Sequence, residues 1–147
     1  MIVKRDVLNK LLLLKVLELT NKVPSGLVLQ KMVFDLERNL RIKKGVTFNY
    51  EFVRSLSYPY SRELQYDLDF LLSQGLVIKR GSLYSLGEKG RAAVIKAKPI
   101  YMQLGIDTSF ENMIKQFNKI PFSSIYESES STIKSKNVGE VIEPEWY

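Results

Sequence analysis

The chain has no cysteine and no histidine, and so lacks most of the side chains that do chemistry near neutral pH. A disulfide, a thiolate or imidazole zinc site, and a Ser-His or Cys-His nucleophile pair are all excluded. Carboxylates alone can still hold magnesium, and Glu63, Asp67 and Asp69 fall within one short stretch. On a helix, however, positions 67 and 69 diverge by about 200° and do not converge on one ion. Lys43-Lys44-Gly45-Val46-Thr47 has part of a phosphate-loop composition, but the required glycine and flanking pattern are missing. No catalytic residue, metal or cofactor is expected, and the chain reads as a non-enzyme.

The remaining chemistry suits polyanions and bases. Residues 1–98 carry 18 Lys and Arg against 9 Asp and Glu, a net +9, whereas residues 99–147 are net −3. A basic body favours a phosphate-bearing partner, because neutralised phosphates release counterions. Lys79 and Arg80 stand beside the turn-forming pair Gly81-Ser82. Arg62 and Gln65 lie one helical turn apart, and arginine can bond bidentately to guanine as glutamine can to adenine. Tyr58 and Tyr60 flank Pro59 and could stack on bases, grip a partner, pack in the core or stiffen a turn.

Helices and strands must position these groups. Apolar residues at three-to-four spacing predict a first helix from about Val3 to Leu19. Its apolar face is wide, and Leu13, Val16 and Leu17 fall partly outside one stripe, so they are expected to meet a second subunit in a homodimer, the alternative being a single core helix in a monomer. Pro24 and Gly26 break the chain, and Ser25 is placed to cap a helix over 27–40. That helix should bury Leu29, Met32, Val33, Leu36 and Leu40, expose Lys31, Asp35, Glu37 and Arg38, and close in the basic cluster Arg41 to Gly45. Phe48, Phe52 and Leu56 suggest a short helix over 47–56. Tyr58-Pro59-Tyr60 interrupts it, and Ser61 caps a further helix to about Gln74, backed by Leu64, Leu68, Leu71 and Leu72 and ended by Gly75. Short helix, turn and longer helix make a helix-turn-helix. Two strands, 76–80 and 83–86, follow as a hairpin, then a helix over 87–98 up to Pro99 and a weaker one over 109–118. Ile120-Pro121-Phe122 is expected to lie against an apolar surface, and residues 127–147 read as an acidic flexible tail.

Ser61-Arg62-Glu63-Leu64 through Leu68-Asp69-Phe70-Leu71, Gln74-Gly75-Leu76-Val77 and Tyr84-Ser85-Leu86-Gly87-Glu88-Lys89-Gly90-Arg91 together resemble the recognition helix and wing of PadR- and MarR-like regulators. Gly87 stands where those families usually have threonine, which removes a capping hydroxyl. A looser resemblance, carried by Leu29-Gln30-Lys31-Met32-Val33-Phe34 and Tyr58-Pro59-Tyr60-Ser61-Arg62-Glu63-Leu64, is to the phage-associated antitoxin-like Panacea or SocA group; Ser57 departs from its usual glycine. The two cover residues 27–98 and imply bacterial, archaeal or mobile-element relatives.

The expected fold is therefore mainly α with a small β-hairpin, a winged helix-turn-helix over 1–98, a helical extension over 99–126 and the tail. The resemblance implies double-stranded DNA as partner, met by Ser61, Arg62, Gln65 and Tyr66 of the recognition helix and by Lys79, Arg80 and Ser82 of the wing. Asp69 shares that outward face, and the three helix carboxylates oppose approach to phosphates. The alternative is an adaptor or antitoxin-like module that binds protein through the recognition-helix face and the tail Glu143-Pro144-Glu145-Trp146-Tyr147. No apolar run spans a bilayer and no signal peptide is apparent, so a cytoplasmic protein without membrane association is expected.

Overall fold

The computed structural model describes residues 4–43, 50–55, 58–106, 108–119, 139 and 141–142. They form a mainly helical α+β protein with the order α1 (Arg5–Thr20), β1 (Lys22–Val23), α2 (Gly26–Lys43), β2 (Phe52–Ser55), β3 (Tyr58–Tyr60), α3 (Arg62–Ser73), β4 (Val77–Arg80), β5 (Leu83–Leu86), α4 (Glu88–Lys96), α5 (Lys98–Gln103), α6 (Thr108–Lys119) and β6 (Val141–Ile142).

Helix α1 is the centre of the molecule. It touches β1, α3, β5, α4 and α6, and Leu12, Leu13, Leu14, Val16 and Leu17 are all buried. An apolar face that extends nearly round a helix needs cover on several sides, and here the same chain supplies it. This corrects the expected dimer surface: Leu13, Val16 and Leu17 are each 0% exposed within the single chain and have nothing left to offer a second subunit. Tyr101 ties α5 to this axis by donating its hydroxyl to the Leu11 carbonyl at 2.6 Å.

The strands form two three-stranded antiparallel sheets, ordered β1-β5-β4 and β3-β2-β6. In the first, Val77 to Arg80 pair with Leu86 to Leu83 around Gly81-Ser82, as the sequence predicts. Gly81 has φ +62°, the left-handed conformation that a two-residue hairpin loop requires of its first residue. Strand β1 was not foreseen. Asn21, at φ +69°, turns the chain so that Lys22 and Val23 pair with Ser85 and Tyr84. Ser25 then caps α2, its Oγ accepting the Val28 N–H at 3.2 Å.

The second sheet replaces the short helix expected over 47–56. Phe52–Ser55 is a strand paired with Tyr58–Tyr60, so among the described residues a hairpin stands before α3 where the short first helix of the motif was expected. Phe48 and Leu56 lie outside the described residues. A spacing of four is compatible with both helix and strand periods; the deciding pattern is Tyr50 and Phe52 buried with Glu51 exposed between them, a period of two. Phe52 packs edge-on against Phe34 of α2, ring centroids 5.2 Å apart.

Cover by β3 and α6 also changes the exposure of α2. Leu29, Met32, Val33 and Leu36 are buried as expected, but Lys31 and Glu37, expected in solvent, are only 3% and 4% exposed. Lys31 Nζ lies 3.2 Å from Asp35 Oδ1, and burial raises the Asp35 pKa against the opposing pull of Lys31 and Arg38. The helix continues past Leu40 to Lys43, while the Leu40 and Arg41 to Gly45 side chains lie outside what is described.

Pro99 does not end the helical region. It occupies the first turn of α5, where its missing N–H leaves no hydrogen bond unmade. Ile120-Pro121-Phe122 and most of residues 127–147 lie outside the described residues, but Val141 and Ile142 pair with Val53 and Phe52 as the third strand of the second sheet. No described helix is long and apolar enough to cross a membrane.

Candidate nucleic-acid interface

Helix α3 is held at both ends by local chemistry. Ser61 at its N-cap accepts the Leu64 N–H on Oγ at 3.2 Å, and the same hydroxyl donates to Glu63 Oε2 at 2.9 Å. The backbone of Ser61 is clamped by Gln30 of α2: the Ser61 N–H donates to Gln30 Oε1 at 2.8 Å, and Gln30 Nε2 donates to the Ser61 carbonyl at 3.0 Å. Gln30 and Ser61 are 1% and 0% exposed. The clamp joins the two segments on which the looser resemblance rests, and it corrects the placement of Ser61, which supports the start of α3 and cannot reach a ligand.

The far end of α3 closes at Gly75, φ +75°, with Leu76 N–H returning to the Leu71 carbonyl at 3.0 Å and Gly75 N–H to that of Leu72 at 3.1 Å. Helix α4 packs directly on this turn. A Cβ at Gly90 would lie 2.0 Å from the Leu76 carbonyl oxygen, and one at Gly87 would lie 2.9 Å from that of Gly75. The capping hydroxyl missing at position 87 is thus explained by space: any side chain there would push α4 off the end of α3.

Leu64, Leu68 and Leu71 turn inward, leaving Arg62, Gln65, Tyr66 and Asp69 toward solvent. Tyr66 is 67% exposed. Gln65 donates to Asp69 Oδ1 at 3.0 Å. Asp67, counted in sequence among three carboxylates opposing a polyanion, faces inward: Tyr50 donates its hydroxyl to Asp67 Oδ2 at 2.6 Å and Lys10 Nζ lies 3.5 Å from Oδ1. Burial, and then the hydrogen bond to Asp67, push the Tyr50 hydroxyl well above the ordinary tyrosine range. The remaining exposed acids on this helix are Glu63 and Asp69.

Lys79, Arg80, Gly81 and Ser82 are all exposed, while Val77, Tyr84 and Leu86 anchor the base of the hairpin in the core. Lys79 Nζ rests 5.4 Å from the centre of the Tyr84 ring. Among the described residues, no carboxylate lies within ion-pair distance of Arg62, Lys79 or Arg80. Helix and hairpin meet at the first turn of α2, a junction the sequence did not reveal. A methyl group at Gly26 would sit 3.8 Å from the Tyr84 hydroxyl and 3.9 Å from Gln65 Oε1. Gln65 of α3 and the buried Tyr84 of β5 thus converge on the first turn of α2, which carries the positive end of its dipole.

Beside the N-terminal turn of α3 lies a cavity of about 370 Å³ lined by Glu51, Val53, Tyr60, Arg62, Glu63 and Tyr66. The sequence singled out Tyr60, Arg62 and Tyr66, but the hairpin β2–β3 is what sets Val53 and Tyr60 beside Arg62, Glu63 and Tyr66 of α3. Among the described residues, no cluster of carboxylates is arranged to hold a metal ion. No protein-family model, curated protein or solved structure matches this chain.

Proposed function

We propose that this chain is a winged-helix protein that binds double-stranded DNA, with α3 as the reading helix and the β4–β5 hairpin as the wing. The observation that carries the reading is the hairpin tip, where Lys79 and Arg80 are exposed with no carboxylate partner among the described residues, on a sheet whose order is β1-β5-β4. A strand after the first helix that pairs with the second strand of a hairpin following the third helix is the connectivity of a winged helix. The first helix of the motif is then α2, and β2–β3 is an insertion before the reading helix. Arg62, Gln65 and Tyr66 are offered for the major groove, and Lys79, Arg80 and Ser82 for the backbone or the minor groove. The inward turn of Asp67 removes one of three objections to a phosphate-bearing partner.

The proposal concerns the single chain, because the α1 residues suggested for dimerisation are buried. An adaptor that binds an acidic or basic protein is the second reading, favoured by Glu63 and Asp69 remaining exposed beside Tyr66. Titration of a labelled mixed-sequence duplex separates the two. Binding that weakens in Lys79→Ala/Arg80→Ala supports the wing, whereas wild-type protein that ignores duplex at low salt leaves the adaptor reading.

A further inference from the structure

The cavity at the start of α3 has more specific chemistry than a phosphate-tracking surface needs. Its volume, about 370 Å³, is that of a small-ligand site and far too small for a duplex. The rings of Tyr60 and Tyr66 and the side chain of Val53 supply apolar walls; Arg62 supplies a cation, and Glu51 and Glu63 supply acceptors. Among the described residues, no hydrogen-bond partner is found for the Tyr60 and Tyr66 hydroxyls, and no carboxylate pairs with Arg62. Tyr58 shares the strand face of Tyr60, since alternate residues of a strand point the same way.

We propose that this cavity receives one unstacked nucleobase that carries an amino group, so that the protein prefers a duplex with an unpaired nucleotide beside the surface read by α3. This inference rests on the nucleic-acid reading above. Aromatic side chains bind any base through its π-face. The two carboxylates add selectivity, because they accept hydrogen bonds from the exocyclic amines of adenine, cytosine and guanine. Thymine lacks such an amine and offers only its N3–H, flanked by two carbonyl oxygens that the carboxylates repel. Arg62, exposed at the positive end of the α3 dipole, is placed for the phosphate of the same nucleotide. An isolated cationic ligand fits less well, since the guanidinium of Arg62 forms part of the wall.

Fluorescence anisotropy with a blunt duplex and with the same duplex bearing three-nucleotide dA, dC or dT overhangs tests the proposal. The dA and dC overhangs should raise affinity about tenfold over blunt ends, with dT well below them. Tyr66→Ala and Tyr60→Leu should bring the overhang-to-blunt ratio close to one, Tyr60→Phe should keep it, and Glu51→Gln should narrow the gap between dC and dT. Blunt duplex bound with no overhang gain, an equal gain for dT, or a gain indifferent to both tyrosines would overturn the site while leaving the wing intact. Overhang strands bound through the tyrosines without any affinity for blunt duplex would uphold the site and sink the duplex reading.

Discussion

Single residues carry the sharpest consequences. Gly90 has no space for a methyl group, because the obstacle is the Leu76 backbone, which cannot rotate away. Gly90→Ala should therefore cost at least about 2 kcal/mol of stability, seen as a lower urea midpoint with an unchanged slope. Gln30→Ala should cost about 1–3 kcal/mol, since it leaves the buried Ser61 N–H without a partner and the Ser61 carbonyl with only the Gln65 N–H. Gln30→Glu should fail to restore the loss, because a carboxylate accepts from the N–H but cannot donate to the carbonyl. Tyr50 and Tyr101 govern the alkaline limit. Burial is the first cause of the raised pKa at both, followed by Asp67 at Tyr50 and Glu18 at Tyr101. Unfolded tyrosines ionise near pH 10, so below that both states keep the proton and the contribution is constant. As pH rises further the unfolded chain gives up protons that the folded chain retains, and stability falls. Urea midpoints followed from about pH 8 to about pH 11 should drop above pH 10, and Tyr101→Phe should flatten the drop.

At the scale of elements, α1 behaves as an internal axis. Leu13→Ala should destabilise the fold by about 2–5 kcal/mol and leave the solution mass unchanged, as light scattering alongside denaturation would reveal. A change of mass without loss of stability would return Leu13 to an interface. Elements with a local signature were legible in the sequence. The leucine spacing and Ser61 cap define α3, the Gly81-Ser82 turn defines the hairpin, and Lys79, Arg80 and Arg62 lie exposed as expected. Elements created by distant partners were not. Strand β1 is two residues long and exists because β5 lies alongside it, and β2 is flanked by β6 from nearly ninety residues later in the chain. With β3 and α6 packed on α2, Lys31 and Glu37 lose their solvent, a reversal that helical periodicity within α2 does not encode. Ser61 illustrates the same limit in the site. A residue one step before an exposed helix face looks available until the Gln30 clamp closes over it.

For the whole molecule, charge and topology point the same way. A chain of net charge +6 places cations with no carboxylate partner among the described residues at the tip of a hairpin and at the start of α3, and turns Asp67 toward Lys10 and Tyr50. The fold supplies a rigid base for both, with α4 locked onto the α3 turn through Gly87 and Gly90 and α2 bridging Gln65 to Tyr84. If this surface meets duplex DNA, each phosphate neutralised should appear in the salt dependence of binding at about 0.9 per contact. The most direct measurement is therefore the slope of log affinity against log salt, from about 50 to about 200 mM, for wild type and for Lys79→Ala/Arg80→Ala. Binding with a steep negative slope that becomes shallower by about 2 in the double variant is the predicted result. Identical slopes for the two proteins, or no duplex binding at the lowest salt, would contradict it.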